Sequence, residues 1–181
     1  DVYKRQMDMH VHFGQDYQSK AQAPIKVERE MQAILATQHA YVTFKSGFTT
    51  VRQVGDSGLV AISLRDAINS GKLAGPRIFA AGKTIATTGG HADPTNGKAV
   101  DDYDYPVPEQ GVVNGPYEVY AAVRQRYKDG ADGIKITVTG GVLSVAKSGQ
   151  NPQFTQEEVD AVVSAAKDYG MWVAVHAHGA E

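Results

Sequence analysis

The chain contains no cysteine, which excludes disulfides and thiolate metal sites and leaves any metal to nitrogen and oxygen donors. It has no basic excess. The formal net charge of -2 argues against a nucleic-acid or anionic-membrane surface as partner. Long apolar runs are missing too, and none approaches the roughly 20 residues that a membrane span needs. The opening DVYKRQ shows no apolar segment of the secretory type. No GxGxxG comes after the first strand candidate, which removes the usual dinucleotide reading. What remains is ordinary globular composition, 42% hydrophobic and 21% charged over 181 residues, enough for one substantial domain.

Short segments rich in β-branched and apolar residues, bounded by Gly, Pro or Asp, read as strands. They are DMHVHF (8–13), FTTVRQV (48–54), RIFAAG (77–82), GIKITV (133–138) and WVAVHAH (172–178). Helix patterns lie between them. The clearest opens with a capping box, Thr155 and Glu158, carries Val159, Val162, Val163 and Ala166 at helical spacing, and stops at Gly170. A second runs from Val27 to Ser46 with Met31, Ile34, Leu35 and Val42 as its apolar positions. A third is marked by Tyr117, Tyr120, Val123 and Tyr127 and ends at Gly130; a shorter one runs from Ile62 to Gly71. This alternation predicts right-handed crossovers and a parallel sheet, as an open doubly wound fold or a (β/α)8 barrel. The stretch from Thr84 to Gly115, with TTGGHADPTNG and DDYDYP, is too long for a simple connector and is expected to be functional or disordered.

Within MDMHVHF, His10 and His12 are two residues apart, so on a strand their side chains share a face, with Asp8 beside them. A lone histidine there would be a core or surface residue. Two imidazoles on one apolar strand each need polar partners, and ligation of a metal satisfies both. Lys135, in GADGIKITV, falls mid-strand between Ile134 and Ile136, where an ammonium is costly unless neutralised or paired. An ion pair with a carboxylate, Asp8 for example, is equally open at this point. His176 and His178 in VAVHAHG repeat the i, i+2 pattern at the end of another strand. Nitrogen side chains thus fall near the C-terminal ends of three strands, the rim on which βα-barrels build their sites. GDSG (55–58) is similar to a serine-protease nucleophile loop but stands after a βα strand with no fitting partners. It is expected to be a turn, with Asp56 or Ser57 capping the segment after it.

HVH, GADGIKI and VAVHAHG together resemble the metal-dependent amidohydrolase superfamily. TTVRQVGD, TTGGHA and TGGVLS resemble its prolidase-like and Xaa-Arg peptidase branch, close to imidazolonepropionase-type enzymes. The resemblance runs from Met7 to Glu181 and implies an α/β fold, about the first five strands of a (β/α)8 barrel with their helices. It implies that His10 and His12 bind the more buried of two metal ions and that His176 binds the second. Lys135 would be N-carboxylated by CO2 and bridge the two ions as a carbamate. Substrate contacts are implied for His178 and for His91 of TTGGHA, the latter toward a substrate carboxylate. Zn2+, two ions per full-length site, suits such nitrogen and oxygen ligands. The implied reaction is hydrolysis of an amide bond in a small dipeptide-like substrate by a metal-activated hydroxide. A cyclic-amide hydrolase of the imidazolonepropionase type and a non-catalytic metal-binding module are the alternatives.

Against the family's pattern, the chain holds five of eight strands. The histidine of the sixth strand, the aspartate of the eighth that serves as metal ligand and general base, and the small β-sandwich have no counterpart in it. YKRQ is charged where the family leads into the HxH strand with an apolar run. Residues 1–6 are therefore expected to be a foreign or mis-read leader, and 7–181 a fragment of the catalytic barrel. The expected partner is a small-molecule or dipeptide substrate, with no nucleic acid and no membrane. A homo-oligomer of the full-length form is compatible with the sequence.

Overall fold

The structure, a computed structural model, describes residues 5–14, 28–56, 58–141 and 149–178. Five sequence expectations touch residues outside these ranges: 1–4 of the leader, Val27 at the start of the second helix, Ser57 of GDSG, 142–144 of TGGVLS, and Gly179 of VAVHAHG. The chain divides into two compact units, 1–82 and 83–181.

In the first unit, β1 (Gln6–Val11), β2 (Phe48–Gln53) and β3 (Arg77–Ala80) form a parallel sheet in that order. The crossovers are α1 (Arg29–Lys45) and α2 (Val60–Asn69). β1 lies two residues earlier than its sequence pattern suggests. Gln6, the last residue of the discordant leader, already pairs with Phe48 and donates its N–H to the Gly47 carbonyl at 3.1 Å. The strand ends at Val11, so His12 stands just beyond it. α1 carries Glu30 in its first turn and Lys45 in its last, each opposite in sign to the end of the helix dipole it meets. Its buried face differs from the expected stripe. Met31, Ile34 and Val42 are exposed, and Ala36 and Ala40, four residues apart, are the buried positions. Small side chains permit close packing of α1, and the larger apolar ones remain outside. α2 opens where Asp56 Oδ2 accepts the Ala61 N–H at 2.6 Å. The Asp56 carboxylate of GDSG thus caps a helix end, as expected of it.

In the second unit, β4 (Ala86–Thr87) and β5 (Val112–Val113) pair in parallel, as do β6 (Gly133–Thr137) and β7 (Trp172–His176). The helices are α3 (Pro116–Lys128) and α4 (Gln156–Asp168). The stretch from Thr84 to Gly115 proves to be built structure. Ile85 donates its N–H to Lys135 O at 2.8 Å and accepts from Thr137 N–H at 3.2 Å, while Ala86 N–H meets Gly111 O at 2.8 Å. Two-residue strands leave no hydrophobic run to read, which is why this segment looks like loop in the sequence. Ile85, Val113, Val119, Val123, Ile134 and Ile136 form the core of the unit with Val162 of α4.

The α3 face also departs from expectation. Val119, Ala122, Val123 and Arg126 are buried, whereas Tyr117 and Tyr127 are exposed. Tyr127 stacks on Tyr169 with ring centroids 4.3 Å apart. The buried Arg126 gives Nη2–H to Glu109 O at 2.7 Å and faces Asp129 at 3.5 Å, which secures the turn at Pro108–Gln110 against α3. The α4 capping box forms as its sequence indicates. Glu158 Oε2 accepts Thr155 N–H at 2.8 Å, and its Oε1 reaches across to accept Gly115 N–H, at the start of α3, at 2.6 Å. One buried carboxylate therefore ties two helix N-termini together.

Candidate metal and substrate site

In the first unit, parity holds: His10 and His12 come together. Their Nε2 atoms are 3.1 Å apart, and the rings meet edge to face with centroids 5.1 Å apart. They are less buried than an apolar strand suggests, His10 being exposed and His12 half-buried. His12 Nδ1 lies 3.1 Å from Gly55 O. A carbonyl can only accept, so Nδ1 carries the hydrogen and Nε2 presents its lone pair. Gly55 O also accepts from Gln53 Nε2 at 3.3 Å, and Gln53 Oε1 takes the Phe13 N–H at 3.0 Å. Gln53, 1% exposed, thereby fixes the bend that aims His12. Asp8 does not reach the imidazoles through this bond: its Oδ1 accepts the backbone N–H of His10 at 2.9 Å.

This pair suits a cation. At Zn–N distances of about 2.0–2.1 Å, tetrahedral coordination sets two nitrogens of one ion about 3.3 Å apart. The observed separation is close to that, and the backbone carbonyl on His12 Nδ1 is the outer partner that metal-bound histidines commonly have.

In the second unit, β6 and β7 are in register with Lys135 opposite Ala174 and Thr137 opposite His176. Lys135, Thr137 and His176 consequently share one face of this pair. Lys135 is 6% exposed, so the burial expected of it is real. His176 Nε2 lies 3.0 Å from Gly140 O, which leaves its Nδ1 as the lone-pair nitrogen. The His91 ring packs on that of His176, centroids 4.5 Å apart and planes tilted by 35°. Burial first, then the charges of His176 and Lys135, hold the His91 imidazole below its ordinary value. His91 Nδ1 and Thr137 Oγ1 are buried with no hydrogen-bond partner among the described residues. His178 is exposed, with its backbone N–H on Thr139 Oγ1 at 3.0 Å.

Among the described residues, no group of three or more His, Asp or Glu side chains is arranged to hold a metal ion. The second cluster is instead rich in nitrogen: two imidazoles with a buried amine whose charge reaches His91. Such a cluster fits a cation only if an anionic oxygen joins it, and carboxylation of Lys135 would supply one in place of the repelling ammonium. Sequence reading missed Gln53, Thr137, Gly141 and Gln153. Each is an ordinary residue type in its local context, and Gln153 meets its partner His91 across 62 residues of chain.

Parallel strands joined by helices, with ligand-type side chains at their C-terminal ends, define an α/β protein built as part of a (β/α)8 barrel. The chain belongs to the Amidohydrolase family, whose model matches residues 7–181. It is similar to a solved Xaa-Pro dipeptidase with methionine bound in its active site, at 98% identity and a TM-score of 0.94, covering 98% of this chain and 44% of that one. A prolidase complexed with N-methylphosphonate-L-proline matches at 30% identity and a TM-score of 0.80, covering 97% and 43%. The ochratoxinase of Aspergillus niger is 27% identical in an alignment 186 positions long that covers 95% of this chain and 38% of the relative. The chain thus spans about two-fifths of the length of the relatives it matches.

Proposed function

We propose that this chain forms the metal-binding first part of a hydrolase that cleaves the amide bond of a small dipeptide-like substrate. The observation that carries the reading is the placement of the buried Lys135 with His176 on one face of β6 and β7, and with His91 packed on His176. Kinship with a Xaa-Pro dipeptidase and a prolidase supports the choice of an open peptide bond over a cyclic amide.

In this reading His10 and His12 bind one divalent cation through Nε2, His12 being held in the right tautomer by Gly55 O. Lys135, as its carbamate, and His176, through Nδ1, bind a second cation, with Zn2+ suited to both donor sets. When bound, the ions supply Lewis acidity and lower the pKa of a water molecule. His91 remains neutral near pH 7 because burial disfavours its cation. It can therefore donate a hydrogen bond to a substrate carbonyl or carboxylate without adding a third positive charge. His178, exposed beside the cluster's strand, contacts the substrate end that points outward.

The test is Lys135→Ala in the complete enzyme, with metal content measured by elemental analysis alongside dipeptide hydrolysis. The expected result is loss of bound metal and of activity, unrelieved by bicarbonate and partly restored by a short carboxylic acid. An alanine variant that keeps two ions per chain would refute the ligand role of Lys135.

A further inference from the structure

We propose that Gln153 is a positioning residue whose side-chain carbonyl fixes the main chain of His91 and so holds the imidazole against His176. The proposal rests on the reading of His91 as a substrate contact. Gln153 lies on the segment that leads into α4, and its own backbone is anchored at both ends. Its N–H is bonded to Val138 O at 2.7 Å, and its carbonyl accepts the Thr87 hydroxyl at 2.8 Å. The preceding Pro152 forms an antiparallel bridge with Thr139. From this base, Gln153 Oε1 accepts the His91 N–H at 2.9 Å.

Three features make this bond matter for the ring. His91 comes after Gly89, at φ +72, and Gly90, so the chain leading to it has no side chain of its own to lock it. A Cβ on Gly90 would stand 2.9 Å from Thr87 O, 3.0 Å from Thr87 Oγ1 and 3.3 Å from Gln153 Oε1, so Thr87 and Gln153 together wall that side of the chain. Asp93 shapes the same turn by accepting Gly89 N–H at 2.8 Å, and Asn96 by donating to Gly90 O at 2.6 Å, but the Gln153 bond is made to His91 itself. Second, His91 Nδ1 has no hydrogen-bond partner among the described residues, so no bond at that atom orients the imidazole. Third, the ring is seated between His176 and the bare backbone of Gly141, where a Cβ would stand 2.6 Å from Nε2 and 2.8 Å from Nδ1. A ring so closely walled is correctly placed only while its main chain is, and Gln153 sets that main chain.

The experiment is steady-state kinetics of the complete metal-loaded enzyme on its best-cleaved member of a Xaa-Pro and Xaa-Arg dipeptide panel. The variants are His91→Ala, Gln153→Met, Gln153→Glu and the His91→Ala/Gln153→Met double. Methionine keeps the length of glutamine and removes the acceptor; glutamate keeps an acceptor oxygen. The loss of one positioning hydrogen bond should raise KM about three- to tenfold in Gln153→Met. The kcat, metal content and melting temperature should change little, Gln153→Glu should restore most of KM, and Gln153→Met should add nothing once His91 is alanine. If His91→Ala leaves KM and kcat unchanged, the substrate-contact reading of His91 is wrong, and the positioning role falls with it. If His91→Ala raises KM and Gln153→Met does not, the positioning role alone is overturned. A Gln153→Met variant that loses metal, kcat and melting temperature in step, at unchanged KM, would mark a merely structural residue and overturn it as well.

Discussion

Removing the Glu158 carboxylate should destabilise the second unit more than its place in the first turn of a helix suggests. Glu158 is 6% exposed and accepts from two backbone N–H groups, Thr155 at 2.8 Å and Gly115 at 2.6 Å. Hydrogen bonds to a charged acceptor each contribute about 1.5–3 kcal/mol, and the two donors sit at part-buried sites on either side of the carboxylate. The attraction of that negative charge to the N-termini of α3 and α4 is part of the same figure, because both bonds are made to an ionised acceptor. Glu158→Ala should therefore cost about 3–6 kcal/mol and lower the melting temperature of the complete enzyme by at least about 5 °C. Glu158→Gln keeps one carbonyl acceptor and presents an NH2 to the other donor, so it should fall between parent and alanine. Thr155→Ala, which loses only the hydroxyl that caps Glu158 N–H at 3.3 Å, should cost about 1 kcal/mol. The assay is thermal unfolding at a fixed scan rate. An alanine variant melting within about 1 °C of the parent would show that the two bonds contribute little, and the reasoning fails. A glutamine variant no better than alanine would show that acceptor geometry is not what matters.

Gly141→Ala places a methyl group against the His91 ring at 2.6 Å from Nε2, so the imidazole must move; KM should rise several-fold with a melting temperature shift of only about 1–3 °C. Unchanged KM would mean that the ring position is not used. Stability of the metal-free enzyme should also depend on pH through His91. Its imidazole is held below 6.5 in the fold, so the unfolded chain takes up the proton first, and stability present above that value is lost as pH falls toward the folded one. His91→Gln should flatten the melting temperature profile below about pH 6.5; parallel profiles for parent and variant would contradict the assignment.

Local order in this protein is written in its sequence. The capping box at Thr155 and Glu158, the strand pattern of GIKIT and the shared parity of His10 and His12 are short-range properties, set by backbone periodicity and nearest hydrogen-bond donors. Buried Lys135 could likewise be recognised as anomalous from its apolar neighbours alone. Which helix faces turn inward was not legible. α1 buries Ala36 and Ala40 and exposes Met31, Ile34 and Val42, so the face in contact is not the one that carries its larger apolar side chains. Ile85, Ala86 and Val112 have strand roles that come from partners far along the chain, and no run of that length carries a periodic signal. The same holds for the site. Residue types named the candidate ligands, but the tautomers of His12 and His176 are set by the carbonyls of Gly55 and Gly140. The seat of His91 is made by Gln153, Gly141 and His176. Hydrogen-bond direction and steric fit depend on atoms brought together across the fold, and only tertiary structure places those atoms.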